Sequence, residues 1–167
     1  MHRKELAAAM ARVPETYAQV QDEFEEAFGR RPADAVTAYR MDDAEIVLVS
    51  MGTTASSVRA AIDEARDRGV RAGALRVRMF RPFPERDLVR LLASAKRVGV
   101  IDRDLCPGLG GILWSEMRCC APRDAVVQNY MMGLGGGDVR TVHVRRILDD
   151  LASHDRAGDP QIVELAA

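Results

Sequence analysis

The sequence predicts an α/β protein: an open, mostly parallel sheet with helices on both faces, preceded by a helical N-terminal extension. Three observations predict it. Residues 44–51, Ala-Glu-Ile-Val-Leu-Val-Ser-Met, carry apolar side chains on both alternations, as a strand covered on both faces requires. From there to about residue 151, strand-like and helix-like periods alternate, the pattern of a parallel sheet wrapped by helices. Glycine-bearing turns at 52–55, 107–111 and 133–137 each follow a predicted strand, and in such sheets ligands gather beyond the carboxyl ends of strands.

The elements follow in order. Over 3–29, Leu6, Met10, Val13, Tyr17, Val20, Phe24 and Phe28 recur at steps of three or four, one apolar face of a helix. Pro14 interrupts this stripe, and proline inside a helix costs about 3 kcal/mol. Two helices are therefore expected, with Pro14 in the first turn of the second and Gly29 closing it. The stripe is read as core packing, with docking on a partner chain as the alternative. A short strand is expected at 36–39, and the buried strand at 44–51. Val58, Ala61, Ile62 and Ala65 give the next helix its inner face, ended by Gly69. Leu75, Val77 and Met79 alternate with Arg76 and Arg78, a half-exposed strand. Arg81-Pro82-Phe83-Pro84 makes a rigid turn. Leu88, Leu91, Leu92 and Ala95 mark another helix, 98–101 a buried strand, and Trp114 to Arg118 a helix after the glycine loop. Residues 125–130 read as a strand. Thr141 is placed to cap a last helix carrying Val144, Ile147, Leu148 and Leu151. Three segments result: a helical linker at 1–31, the α/β domain at 32–155, and a polar linker with a short tail at 156–167.

The 167 residues suit one domain with a small appendage. Apolar residues are 47% and charged residues 29%, ordinary for a globular chain and unlike a disordered one. No apolar run approaches the ~20 residues of a spanning helix, so no membrane partner is expected. The net charge of −1 gives no field for nucleic acid. Cys106, Cys119 and Cys120 form no C-x-x-C pair, so neither a disulfide framework nor a zinc or iron–sulfur site is expected. Met1-His2-Arg3-Lys4 has charge but no apolar stretch behind it, unlike a signal peptide. A reduced, cytoplasmic protein is expected.

Gly52, Thr53 and Thr54 offer amide groups at a helix start, where an anion or a partner can be held; the plainer expectation is that Thr53 or Thr54 caps the helix. Gly108, Gly110 and Gly111 lack the third glycine of a dinucleotide fingerprint, since Leu113 stands there, and the loop of Gly133, Gly135 and Gly136 has Asp138 at that place. Both loops are read as tight turns and contact loops. Asp102 and Asp104 sit at i, i+2 on an extended segment, which points them to opposite faces and suits loop fixing or ion pairing better than acid–base work. Glu116 is read as solvated, His143 belongs to no metal-binding set, and Cys119 and Cys120 as packing residues. Cys106, beside Pro107, is a candidate reactive thiol, but no neighbour in the sequence marks it as activated. No catalytic residue and no metal ligand emerges.

Four blocks carry a family resemblance: AEIVLVSMGTTA (44–55), LRVRMFRPFPERDL (75–88), KRVGVIDRDLCPGLGGILWSEM (96–117) and VVQNYMMGLGGGDV (126–139). In this order they closely resemble the transketolase C-terminal-like, Rossmann-like domain of the pyruvate:ferredoxin (flavodoxin) oxidoreductase alpha subunit. FEEAFGR (24–30) and QIVEL (161–165) extend the likeness to both ends. The chain departs from the family pattern at Cys106, where a small residue such as serine is usual, and at Pro14.

The resemblance implies an oxidoreductase that converts a 2-oxoacid and coenzyme A to acyl-CoA and CO2, with thiamine diphosphate, Mg, iron–sulfur clusters and CoA in the complex. It implies that this domain is architectural and binds none of them alone. The implied partners are a pyrimidine-binding domain and a diphosphate-binding subunit, with ferredoxin or flavodoxin reached through the oligomeric complex. Two other readings stay open: a stand-alone anion-, nucleotide- or CoA-binding module, and a subunit of a split transketolase-like enzyme.

Overall fold

The computed structural model describes residues 2–164. Met1 and the last three residues of the expected tail lie outside the described residues. The elements are α1 (His2–Phe28), β1 (Val36–Tyr39), β2 (Ile46–Met51), α2 (Thr54–Asp67), β3 (Ala72–Val77), α3 (Glu85–Leu91), β4 (Arg97–Asp102), α4 (Ile112–Met117), β5 (Val126–Met131), α5 (Thr141–Ser153) and β6 (Gln161–Ile162). A single 3-10 turn, Leu134–Gly136, lies between β5 and α5.

The six strands form one sheet in the order β1-β3-β2-β4-β5-β6. β1 runs antiparallel to β3, and every other pairing is parallel. The expected mostly parallel sheet is therefore present. Its two faces sort by alternation. Leu48, Ala74, Ile101 and Tyr130 join α2 and α5 in one core, through Val58, Ile62, Ile147 and Leu151. Val47, Val49, Val98 and Val100 join α3 and α4 in the other, through Leu88, Leu113 and Met117. Alternate residues of β2 thus enter opposite cores, which is why its sequence is continuously apolar. Gly99 lets α5 close on the sheet: a β-carbon there would stand 2.7 Å from Leu48 Cδ2 and 2.9 Å from Leu151 Cδ2.

The chain leaves β2 for β3 on one side, then crosses back to β4 on the other. This reversal places a crevice between the carboxyl ends of β2 and β4, the usual ligand position in an open α/β sheet.

Several sequence expectations are corrected. Residues 2–28 form one helix with Pro14 inside it, not two. Nearly all of α1 faces solvent, where a carbonyl that loses its N–H partner can be hydrated. The apolar stripe is not core: Leu6 is 63%, Val20 52% and Phe28 67% exposed. Polar bonds hold α1 instead. Tyr17 Oη donates to the Ala33 carbonyl at 2.7 Å, and Gln21 Nε2 donates to the Pro32 carbonyl at 3.0 Å and to Asp34 Oδ1 at 3.2 Å. Gly29 does end the helix, at φ +67°, with its N–H on the Glu25 carbonyl. The segment read as a tail contributes β6, paired with Tyr130 and Met131. β3 is buried on both faces rather than half-exposed, with only Arg76 partly open. Thr141 does not cap α5. Arg140 occupies the cap position, and its backbone N–H donates to His143 Nδ1 at 3.1 Å.

Among the described residues no helix is long and apolar enough to cross a membrane.

The exposed stripe gives a direct expectation. Leu6→Asp and Val20→Asp should change the stability of the chain by less than about 0.5 kcal/mol. Leu88→Ala, at a fully buried position, should cost about 2–5 kcal/mol. Urea unfolding of the three variants checks both.

Candidate functional site

Two adjoining open hollows occupy the crevice, of about 520 and 420 Å³. Thr53, Thr54 and Arg103 line both. Asp102 and Asp104 border one, and Gly136 and Asp138 the other. Gly52 turns the chain out of β2 at φ +60°, a conformation that glycine adopts without strain.

The capping expectation fails here. Thr53 holds the cap position in a helical conformation and makes no side-chain cap bond. Thr54 is buried, and its Oγ1 has no partner. The first amides of α2 thus lack a side-chain acceptor. Among the described residues Arg103 reaches only the Gly133 carbonyl, at 3.5 Å. Asp138 is paired with Arg140 at 3.2 Å.

The start of α4 is built the opposite way. Four consecutive amides of Gly111 to Trp114 are all taken by side chains. Gly111 donates to Asn129 Oδ1 at 2.9 Å, and Ile112 to Asp104 Oδ2 at 3.1 Å. Leu113 and Trp114 donate to the two Asp102 oxygens at 2.8 and 3.2 Å. Asn129 Nδ2 donates to Asp102 Oδ2 at 2.9 Å and to the Val100 carbonyl at 3.3 Å. Asp102 and Asp104 therefore converge on one helix end rather than pointing to opposite faces, because the chain leaves the strand between them. The loop-fixing role is present; an ion pair for either is absent among the described residues. Gly111 is required by contact, since a β-carbon there would overlap the Asp102 carboxylate. Gly108 and Gly110 have positive φ, and Cys106 and Gly110 close the loop in a bridge. This loop's helix end already holds carboxylates where an external anion would bind.

Burial pushes the Asp102 carboxyl up to about 6, with the Asp104 charge adding to the rise and the Leu113, Trp114 and Asn129 donors opposing it. Gly133, Gly135 and Gly136 all have positive φ. Gly135 and Gly136 have open space beside them, whereas Gly133 packs close to Val139.

Elsewhere, Glu116 is partly solvated and pairs with Arg81 at 2.7 Å. His143 is buried, its Nε2 has no partner, and burial lowers its pKa. Cys120 is a packing residue whose thiol burial pushes up to about 11. Cys119 is exposed, contrary to expectation, and Cys106 is half-buried. Asn129 was not singled out from the sequence. Its signal was there: Gln128 and Asn129 are polar residues inside an otherwise apolar strand.

A family model described as pyruvate:ferredoxin oxidoreductase core domain II matches residues 44–144. This chain belongs to that family. The domain II match contains all four sequence blocks. Pyruvate synthase subunit PorA of Thermotoga maritima is 35% identical over 163 residues, 96% of this chain and 41% of that protein. Ketoisovalerate oxidoreductase subunit VorA of Pyrococcus abyssi is 33% identical over 152 residues, 89% of this chain and 38% of that protein. The domain II chain thus spans about two-fifths of the length of the curated relatives it matches. A solved 2-oxoglutarate:ferredoxin oxidoreductase from Magnetococcus marinus, with 2-oxoglutarate, coenzyme A and succinyl-CoA bound, shares the fold. Its TM-score is 0.58 at 17% identity, over 77% of this chain and 21% of that one.

Two outcomes are expected from the α4 start. Asp102→Ala leaves the Leu113 and Trp114 amides without acceptors and takes one of two acceptors from Asn129 Nδ2, and should cost about 1–3 kcal/mol in urea unfolding. The folded protein also holds the Asp102 proton more tightly than the unfolded chain, whose ordinary value is 3.8. Its contribution to stability is full below that value and is lost as pH climbs through about 6. Unfolding measured across this window should show a downward slope in the native chain that Asp102→Ala lacks. A carboxyl NMR titration should place the midpoint near 6.

Proposed function

We propose that this chain is an assembly component of a thiamine-diphosphate-dependent 2-oxoacid:ferredoxin oxidoreductase. That enzyme would convert a 2-oxoacid and coenzyme A to acyl-CoA and CO2, passing the electrons to ferredoxin or flavodoxin. The observation that carries this reading is the likeness, along nearly the whole chain, to subunits named for pyruvate synthase and ketoisovalerate oxidoreductase.

The chemistry of the residues supports an architectural share. Of the three carboxylates that line the crevice, Asp102 and Asp104 accept from the start of α4 and Asp138 pairs with Arg140. Among the described residues no group of three His, Cys, Asp or Glu side chains converges to hold a metal. These residues do not fit a Mg–diphosphate or an iron–sulfur cluster. What the chain does offer is surface. The α1 stripe through Leu6, Val20 and Phe28 is open, and so are Leu105, Leu109 and Ile112 around the glycine loop. These faces suit a pyrimidine-binding domain and a diphosphate-binding subunit as partners in an oligomer.

A second reading has one observation of its own: the uncapped start of α2, with the unpartnered Thr54 hydroxyl and Arg103 beside it. There the crevice would take an anionic group, such as a phosphate of a nucleotide or coenzyme A. Amide NMR shifts of Thr53 to Ala55 on titration with inorganic phosphate, lost in Arg103→Gln, would support it; unmoved amides would dismiss it.

Reconstitution tests the main reading. Coenzyme A- and 2-oxoacid-dependent reduction of a viologen dye should require this chain mixed with its partners. Full activity of the partners alone, or activity of this chain alone, would overturn it. A triple variant, Leu6→Asp, Val20→Asp, Phe28→Asp, should keep its fold and lose co-purification with the partners.

A further inference from the structure

Three side chains lie in one cross-strand row beneath the first turns of α2. Thr37 of β1 is in register with Arg76 of β3, and Arg76 with Ser50 of β2. Partners in register share a face of the sheet. This is the face α2 covers, because Leu48 and Ala74, two residues along the same strands, share a core with Val58 and Ile62. The inward polar atom of each is buried and has no hydrogen-bond partner: Thr37 Oγ1, Ser50 Oγ and Arg76 Nε. Ser50 is 0% exposed. Together with Arg59 these residues line a hollow that leaves about 10 Å³ for the centre of a water-sized particle, the room of a single one.

Buried polar atoms in folded proteins nearly always have partners, so three orphans around one hollow call for an occupant. Both hydroxyls can donate, and the Arg76 Nε–H can only donate. Among the described residues Arg76 and Arg59 form no ion pair, and no carboxylate lines the hollow. Arg59 lies over the Tyr39 ring at 5.1 Å, while the neighbouring Asp63 is taken by Tyr39 and Arg40. The occupant therefore meets donors and uncompensated positive charge.

We propose that this hollow is a binding site for a halide-sized monovalent anion, chloride in physiological salt, held by Thr37, Ser50 and Arg76. A water molecule would satisfy the hydroxyls; an anion satisfies them and also pairs with the Arg76 charge. A phosphate or sulfate group is too large for the space. The ion fastens the antiparallel edge strand β1 to β3 and β2, and so secures the sheet edge next to α2.

The full chain provides the test. Crystals soaked in sodium bromide should show an anomalous peak within contact of Thr37 Oγ1, Ser50 Oγ and Arg76 Nε. Thermal melts at constant ionic strength, with chloride exchanged for gluconate, should show a saturable rise in Tm with chloride. Ser50→Ala removes one donor, and should raise the chloride Kd about tenfold; Thr37→Val keeps the shape and should do the same. If Ser50→Ala does not fold, Thr37→Val carries the comparison. A site holding water with no anomalous signal overturns the proposal. So does a chloride response unchanged in the variants, and so does a bromide peak without chloride-dependent melting, which would mean an adventitious ion only.

Discussion

Four consecutive backbone amides at the start of α4 find their acceptors on three other segments, and much of the crevice follows from this arrangement. A six-residue helix does not sustain itself in water, because nucleation costs more than so few bonds return. Here Asp102 from the end of β4, Asp104 from the loop and Asn129 from β5 take the amides of Gly111, Ile112, Leu113 and Trp114. The ordinary deficit of a helix N-terminus, four unpaired N–H groups, is met entirely by side chains. Gly111 lets the carboxylate come close enough. The burial that raises the Asp102 pKa is the cost of this arrangement, and its donors offset part of it.

That fastening sets what α4 and its loop present. Leu113 and Met117 turn inward onto the core with Val98 and Val100. Leu105, Leu109 and Ile112 turn outward. A buried polar cluster thereby orients an apolar surface. α1 shows the same division by other means. Tyr17 and Gln21 bind it to the 32–34 segment by hydrogen bonds, which frees its apolar stripe from internal packing. The proposed assembly role draws on both surfaces.

The two ends of the sheet's central strands are held differently. At the β4 end, carboxylates occupy the helix amides. At the β2 end, α2 starts without a side-chain cap, and polar atoms of Thr54, Ser50, Thr37 and Arg76 lie buried without protein partners. Acceptors are spent on one side of the switch point, and donors are left over on the other. This asymmetry favours an anion near α2 and not near α4.

The amino-acid order already carries the alternation of strands and helices, the double-sided burial of β2 and the glycine-bearing turns. Each of these is a local property: side-chain period, β-branched content and positive φ are set within a few residues. It also carried the four blocks that mark the family. It did not determine whether the α1 stripe was core, because periodicity shows that a face is apolar and not what covers it. It did not reveal that Asp102, Asp104 and Asn129 meet, although all three were in plain view. Asn129 is 27 residues from Asp102, and only the parallel pairing of β4 with β5 brings them together. The row of Thr37, Ser50 and Arg76 is likewise a matter of register across three strands. Hydrogen-bond partners far apart in sequence are chosen by tertiary packing, because a polar side chain states what it can donate or accept but not which group will be within reach.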